Sequence, residues 1–114
     1  MGASAVMMTV RWQVPLGQSR RVAEALHQVM VAARSRPGCL RCSVATDVGK
    51  DVGVRYSEEW ADEDLLRREV RSDRFTTLAA LMESATAFPI VEFHLPEGIR
   101  GLDYVEDVRA SRFR

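Results

Sequence analysis

The strongest constraint on the fold is the order in which two hydrophobic periodicities alternate along the chain. Apolar residues recur at every second position in some segments, which predicts strands, and at three- and four-residue intervals in others, which predicts amphipathic helices. The strand patterns cover residues 6–14, 39–46, 52–60 and 90–95. The helix patterns begin at Ser19, at Asp62 and at Ser72 or Asp73, and Ser19 and Asp62 are expected to cap theirs.

This order is β-α-β-β-α-β with the second helix divided in two. It predicts a ferredoxin-like α+β domain, an antiparallel sheet with helices on one face. The turn between the middle strands is expected at 47–51. The opposite sheet face, with residues such as Arg11, Arg55 and Ser57, is too polar for a second core and suits a partly wet interface or solvent. One more short strand is predicted at 102–108, reaching outside the domain.

Length and charge exclude several classes of protein. A chain of 114 residues is expected to be one domain. Sixteen basic and sixteen acidic residues cancel, which argues against a nucleic-acid binder and gives no electrostatic reason to sit on an anionic membrane. No apolar run has the length of a membrane span, and residues 1–10 lack the pattern of a secretory signal. A cytoplasmic protein is therefore expected.

The cysteines and histidines give no metal or redox motif. Cys39 and Cys42 have redox spacing, but they open a strand instead of a helix, and a spacing of three predicts opposite faces. Two free cysteines are the expectation. His27 and His94 have no partner at metal spacing, so no metal site is predicted. The chain also lacks a glycine-rich phosphate loop, which disfavours a tightly held nucleotide or flavin.

Glu69 is the anomaly of the short helix after Asp62. It shares a helical arc with Leu65, Leu66 and Val70, which aims a carboxylate at the apolar interior. A carboxylate in that position must be paired, hydrated or raised in pKa, and a raised pKa suits a general base. The alternative is a glutamate at the helix edge that bends back to water or pairs with a nearby arginine.

Glu58 and Trp60 are two residues apart on the third strand and should point to the same side, together with Tyr56. A carboxylate beside aromatic rings is typical of a pocket wall, because small-molecule sites combine apolar surfaces with a few polar groups. The alternative is a core Tyr and Trp with Glu58 at the fringe of the sheet. The sequence leaves both open.

The block between Pro37 and Phe75 resembles the antibiotic biosynthesis monooxygenase domain family of the dimeric α+β barrel group. The similarity lies in these features: Pro37-Gly38-Cys39-Leu40, the turn at Asp47, Glu58-x-Trp60, Asp62 with the leucines after it, and Ser72-x-x-Phe75. It covers the core, residues 6–95. The tail, residues 96–114, contains Gly101-Leu102-Asp103-Tyr104 and resembles an extension of some members, expected to contact the partner subunit.

The resemblance implies a homodimer whose sheets face each other, with a pocket between sheet and helices in each subunit. It also implies cofactor-free oxygenation, in which O₂ oxidises a deprotonated phenol or quinol. Many members carry histidine where this chain has Glu69, so Glu69 would replace that residue as base. Haem degradation is disfavoured, because neither His27 nor His94 matches the axial histidine of members with that activity.

The leading hypothesis is therefore a cofactor-free monooxygenase for a small aromatic substrate. Glu69 is the predicted catalytic base. Glu58 and Trp12 are predicted to orient the ligand, and the pocket walls are Trp60, Tyr56 and Phe75. One alternative is a dimer of the same fold that binds a small hydrophobic ligand without turnover, and another is a plain dimerisation domain with a filled cavity.

Overall fold

The computed structural model describes residues 4–47 and 52–110. Of the turn predicted at 47–51, positions 48–51 therefore lie outside the described residues. The strands are β1 (Val6–Val14), β2 (Cys39–Asp47), β3 (Val52–Trp60), β4 (Ile90–Leu95) and β5 (Gly98–Arg100). The helices are α1 (Ser19–Arg34), α2 (Glu63–Val70), α3 (Asp73–Met82) and α4 (Asp103–Ala110). The strands form one sheet in the order β2-β3-β1-β4-β5, and every neighbouring pair is antiparallel. The predicted α+β class is confirmed.

The core lies between the sheet and its helices. Alternate residues of β1, from Val6 to Val14, are buried, and β3 shows the same alternation from Val52 to Trp60. α1 and α3 contribute apolar stripes that cover this inner face. The opposite face is polar, as predicted, and the sheet of one chain is open, so a closed barrel requires a second sheet. In the two described ranges, every helix is too short or too polar to cross a membrane.

Two of the three predicted helix starts have a side-chain cap, and one of these caps, Asp62, was expected. Asp62 Oδ1 accepts a hydrogen bond from the Leu65 backbone N–H at 2.9 Å, and Ser72 Oγ accepts one from Phe75 N–H at 3.3 Å. Ser19 does not cap α1. A single 3₁₀ turn (Leu16–Gln18) leads directly into that helix, so Ser19 is already helical and its hydroxyl donates back to the Leu16 carbonyl at 2.8 Å.

A β-bulge at the start of β2 overturns one expectation about the cysteines. Cys39 pairs with Trp60 and Arg41 with Glu59, so Leu40 is an extra residue without a partner on β3. Leu40 is consequently exposed instead of buried. Because Cys42 pairs with Glu58, the bulge places Cys39 and Cys42 on the same inner face.

The segment predicted as a strand at 102–108 is a helix, α4. Tyr104 and Val108 are four residues apart and both are buried, which is helical spacing. The Tyr104 ring packs 4.7 Å from that of Phe93, and its hydroxyl donates to Glu63 Oε2 at 2.9 Å. α4 therefore packs against its own subunit. The contact of residues 96–114 with a partner stays a prediction.

Replacement of Gly38 by alanine is expected to lower stability by about 1–3 kcal/mol, because its φ of 88° disfavours a side chain. An added Cβ would also lie 2.3 Å from Leu65 Cδ1. Urea denaturation measures the change. Gly17→Ala is the matched control, since nothing lies within 4 Å of a Cβ there. Equal stability of Gly38→Ala and wild type would contradict the prediction.

Candidate functional site

The centre of the candidate site is Glu58, a carboxyl group buried in the core with 2% of its surface exposed. Two neighbours on the same face of β3 donate to it. The Tyr56 hydroxyl donates to Oε2 at 2.5 Å and Trp60 Nε1 donates to Oε1 at 3.0 Å. Cys42 Sγ donates in turn to the Tyr56 oxygen at 3.2 Å. The period of two therefore places Tyr56, Glu58 and Trp60 together, as predicted.

Burial controls the protonation of this cluster. Desolvation raises the pKa of Glu58 from 4.5 to about 7, against the lowering effect of the Tyr56 and Trp60 hydrogen bonds. Burial also raises the pKa of Cys42 to about 12 and moves the pKa of Tyr56 well above its ordinary value. Near neutral pH the Glu58 carboxyl is about half ionised, so it can accept or release a proton.

Glu69 is buried, with 3% of its surface exposed, and its carboxylate is ion-paired. Arg74, on α3, donates from Nη2 to Oε1 at 2.8 Å and from Nε to Oε2 at 3.0 Å. This hydrogen-bonded pair raises the pKa of Arg74. The sequence left open whether Glu69 is paired, hydrated or raised in pKa. In the structure it is paired with an arginine.

A small pocket opens at the surface beside this ion pair, with a volume of about 60 Å³. We call it the mouth pocket. Its lining residues are Arg36, Pro37, Trp60, Leu65, Arg68, Glu69 and Arg74. This volume suits water, O₂ or a carboxylate, but it is well below the roughly 150 Å³ of a cavity that holds benzene. Tyr56 and Trp60, two of the predicted pocket walls, are buried in the core.

The remaining predicted pocket residues lie apart from the mouth pocket. Phe75 is a buried residue of α3, with the Arg109 guanidinium 5.6 Å from its ring centre. Trp12 pairs with Val54, six residues along β3 from Trp60, which corresponds to about 20 Å. It lines a separate pocket of about 320 Å³ together with Gln13, Phe88 and others. Its buried Nε1 has no acceptor among the described residues.

Several residues of the site escaped the sequence reasoning. Cys42 reaches Tyr56 only because the bulge keeps it on the inner face. Arg74 is five residues from Glu69 on a different helix, so no helical spacing rule pairs them. Arg36 lies in the loop between α1 and β2, and Arg68 lies on α2. Both line the pocket because this loop lies close to α2. The one signal in the sequence was the predicted burial of Glu69, because a buried carboxylate requires a partner.

Comparison with known proteins identifies the family. The model of the antibiotic biosynthesis monooxygenase family matches residues 5–81. The chain belongs to this family. None of the curated proteins compared with the chain matches it.

Solved structures share the fold of this family member at low sequence identity. A conserved protein from Methanosarcina mazei Go1 is 19% identical with a TM-score of 0.70, over 81% of this chain and 92% of the other. A protein of unknown function from Bacteroides thetaiotaomicron VPI-5482, described as a possible oxidoreductase, is 17% identical with a TM-score of 0.68, over 79% and 95%. An antibiotic biosynthesis monooxygenase is 16% identical with a TM-score of 0.67, over 77% and 94%. Identities this low carry the fold alone.

The raised pKa of Glu58 predicts a specific loss of stability with pH. The folded state holds the proton more tightly than the unfolded state, so the free energy of unfolding falls as pH rises from about 4.5 to 7 and then levels. The contribution is about 3 kcal/mol. Glu58→Gln is expected to remove this pH dependence. Urea denaturation of both proteins at pH 5 and at pH 8 measures the free energies of unfolding that are compared.

The control is Glu24→Gln, at an exposed position on α1. It should keep the pH dependence of the wild type. A Glu58→Gln protein that loses as much stability as wild type between pH 5 and pH 8 would show that Glu58 is not the group responsible.

Proposed function

We propose that this chain is a cofactor-free monooxygenase that oxidises a small phenol or quinol with O₂, with Glu58 as the catalytic base. One observation carries the assignment of the base: Glu58 is a buried carboxyl whose pKa, about 7, matches proton abstraction at neutral pH. Membership of the antibiotic biosynthesis monooxygenase family supports the type of reaction. Both substrates, the aromatic molecule and O₂, belong to the proposal.

The proposed reaction begins when Glu58 takes the proton of the substrate hydroxyl. The electron-rich anion gives one electron to O₂, and the resulting radical pair combines to form a carbon–oxygen bond. Glu58 returns its proton to the resulting peroxide, which becomes a hydroperoxide. As the O–O bond of the hydroperoxide breaks, the same ring carbon loses its hydrogen as a proton, and this proton leaves with the departing hydroxide as water, so that a quinone remains. A dry site assists this sequence, because the charge of the anion is not spread into solvent.

Arg74 and Trp60 complete the proposed site. The guanidinium group of Arg74 lies at the mouth pocket and is placed to stabilise a developing oxyanion. A ring does not fit in about 60 Å³, so it enters when the Arg74 side chain, 27% exposed, swings outward. The ring then lies against Trp60. The ion pair of Glu69 and Arg74 acts as the gate of the site.

The role of Glu69 as base remains a competing prediction. Its bidentate pairing with Arg74 favours an electrostatic role, in which Glu69 holds Arg74 in place. Glu58 and Glu69 can be separated by experiment, because each can be replaced by glutamine with little change in shape.

Oxygen uptake by the wild type with a panel of naphthols, anthrones and quinols is expected to rise with pH through an apparent pKa of about 7. Glu58→Gln should lower kcat by about 10²- to 10⁴-fold, since it removes the base. Glu69→Gln should retain more activity than Glu58→Gln. No uptake with any compound would reject the function. A larger loss in Glu69→Gln than in Glu58→Gln would restore Glu69 as the base.

The alternative function is binding of a small hydrophobic ligand without turnover. The pocket beside Trp12 favours it, because about 320 Å³ falls within the usual range for small-ligand sites. Quenching of tryptophan fluorescence by a ligand that is never oxidised would support this alternative. A protein that neither binds nor oxidises any compound fits the third hypothesis, a dimerisation domain.

We further propose that two chains form a homodimer through the polar sheet face, as the family membership supports. That face holds a groove of about 440 Å³, and Ser43 and Ser57 share a hydrogen bond of 2.8 Å at its centre. The predicted cytoplasmic location stays a prediction.

Light scattering should give a mass of two 12.8 kDa chains. Ser57→Arg should produce a monomer, because it puts a bulky charge in the middle of the proposed interface. Thr77→Arg, on the exposed side of α3, should stay dimeric. A Ser57→Arg protein with the mass of the wild-type dimer would exclude this face as the interface.

A further inference from the structure

Three guanidinium groups surround the mouth pocket, and only one of them is neutralised within the described residues. Arg74 is paired with Glu69. Arg36, after the end of α1, and Arg68, on the outer side of α2, line the same pocket and make no ion pair within 4.0 Å in the described part of the chain. The opening therefore carries an excess of positive charge.

Arg68 has a possible ion-pair partner at helical spacing, but the structure shows no ion pair between these two described residues. Asp64 lies four residues earlier on α2, in the favourable order for a helical ion pair, yet the described residues show none between them. Other arginines near this end donate to backbone carbonyls: Arg34 to Cys42 at 2.9 Å and Arg109 to Val70 at 3.0 Å. Arg36 and Arg68 line the opening, and their side chains make no hydrogen bond or ion pair among the described residues.

We infer that the substrate carries an anionic group, a carboxylate, that binds between Arg36 and Arg68 at the mouth pocket. This inference rests on the proposed function and names its substrate class, a hydroxylated aromatic carboxylic acid. The volume of about 60 Å³ accommodates a carboxylate, and guanidinium groups bind carboxylates with paired, charge-assisted hydrogen bonds.

The lining of the mouth pocket suits the aromatic half of such a substrate once the Arg74 side chain has swung outward. Trp60 and Leu65 supply apolar surface beside the arginines, against which a ring can pack. A carboxylate held at the rim leaves the ring hydroxyl to point inward, toward the Glu58 end of the site. Because Arg36 and Arg68 are exposed, their contribution is expected to weaken as salt is added.

The test compares 6-hydroxy-2-naphthoate with 2-naphthol. The two probes differ by one carboxylate, and the hydroxyl of the first lies at the opposite end of the ring system from that carboxylate. Calorimetric titration without oxygen measures binding apart from turnover. The wild-type full chain is expected to bind the hydroxynaphthoate about tenfold more tightly at low salt. The double variant Arg36→Gln/Arg68→Gln should lose that preference and keep its affinity for 2-naphthol.

Arg20→Gln/Arg21→Gln is the control, because it removes the same two charges from exposed positions at the start of α1. It should keep the preference. The inference is overturned if wild type binds both probes equally, binds neither, or if the control loses as much as the test variant. Selective binding without oxygen uptake would sustain the inference while rejecting the oxygenase, so the two failures are distinct.

Discussion

The hydrogen bonds that Tyr56 and Trp60 give to Glu58 are the interaction on which the site depends. An ionised carboxylate without partners in an apolar core would destabilise the folded state by several kcal/mol, on the order of the cost of burying an unpaired charge. The pKa of such a group would rise until it stayed protonated. Two donors on the same strand face offset part of that cost. The balance leaves the pKa of Glu58 at about 7 instead of far above it. The alternation of side-chain direction along β3 places both donors beside Glu58. This arrangement is the reason that Glu58 is about half ionised at neutral pH.

The ion pair of Glu69 and Arg74 is coupled to this balance. The charge of Glu69 raises the pKa of Glu58, and that of Arg74 lowers it. While the two are paired, their effects on Glu58 largely oppose each other. In the proposed function, Arg74 swings out to admit a ring, so an ionised Glu58 loses a stabilising positive charge and binds a proton more strongly. Entry of the substrate therefore favours transfer of its proton to Glu58.

Much of the fold could be predicted, because it follows from periodicities that are local in sequence. The alternation in β1 and β3 fixed which residues face inward, and the caps Asp62 and Ser72 marked two helix starts. The failures share a cause in contacts distant in sequence. The bulge at Leu40 depends on pairing with β3, and α4 is stabilised by contacts of Tyr104 with Phe93 and Glu63. A pattern of neighbouring residues in the sequence does not indicate either set of contacts.

The candidate site shows the same division. Tyr56, Glu58 and Trp60 belong to one strand, so their common direction was predictable, whereas the partner of Glu69 required the packing of α2 against α3. The sequence predicts that Trp12 orients the ligand together with Glu58. The register of β1 on β3, however, places Trp12 opposite Val54, at the far end from Trp60. Side-chain direction can be read from sequence, but position along the strand pair needs the register.

In the proposed function, the segment from Arg36 to Leu40 controls access to the buried carboxyl. Gly38 has no Cβ, which lets Leu65 approach the backbone closely and brings α2 over the end of β3. The bulge at Leu40 then turns Cys39 inward, and Arg36 and Pro37 remain at the rim of the mouth pocket. In that proposal the strand supplies the proton-accepting group, while this loop and α2 supply the charges that a substrate meets first. The proposed reaction type and substrate preference then lie on separate elements, so substitutions in the loop are expected to change one without the other.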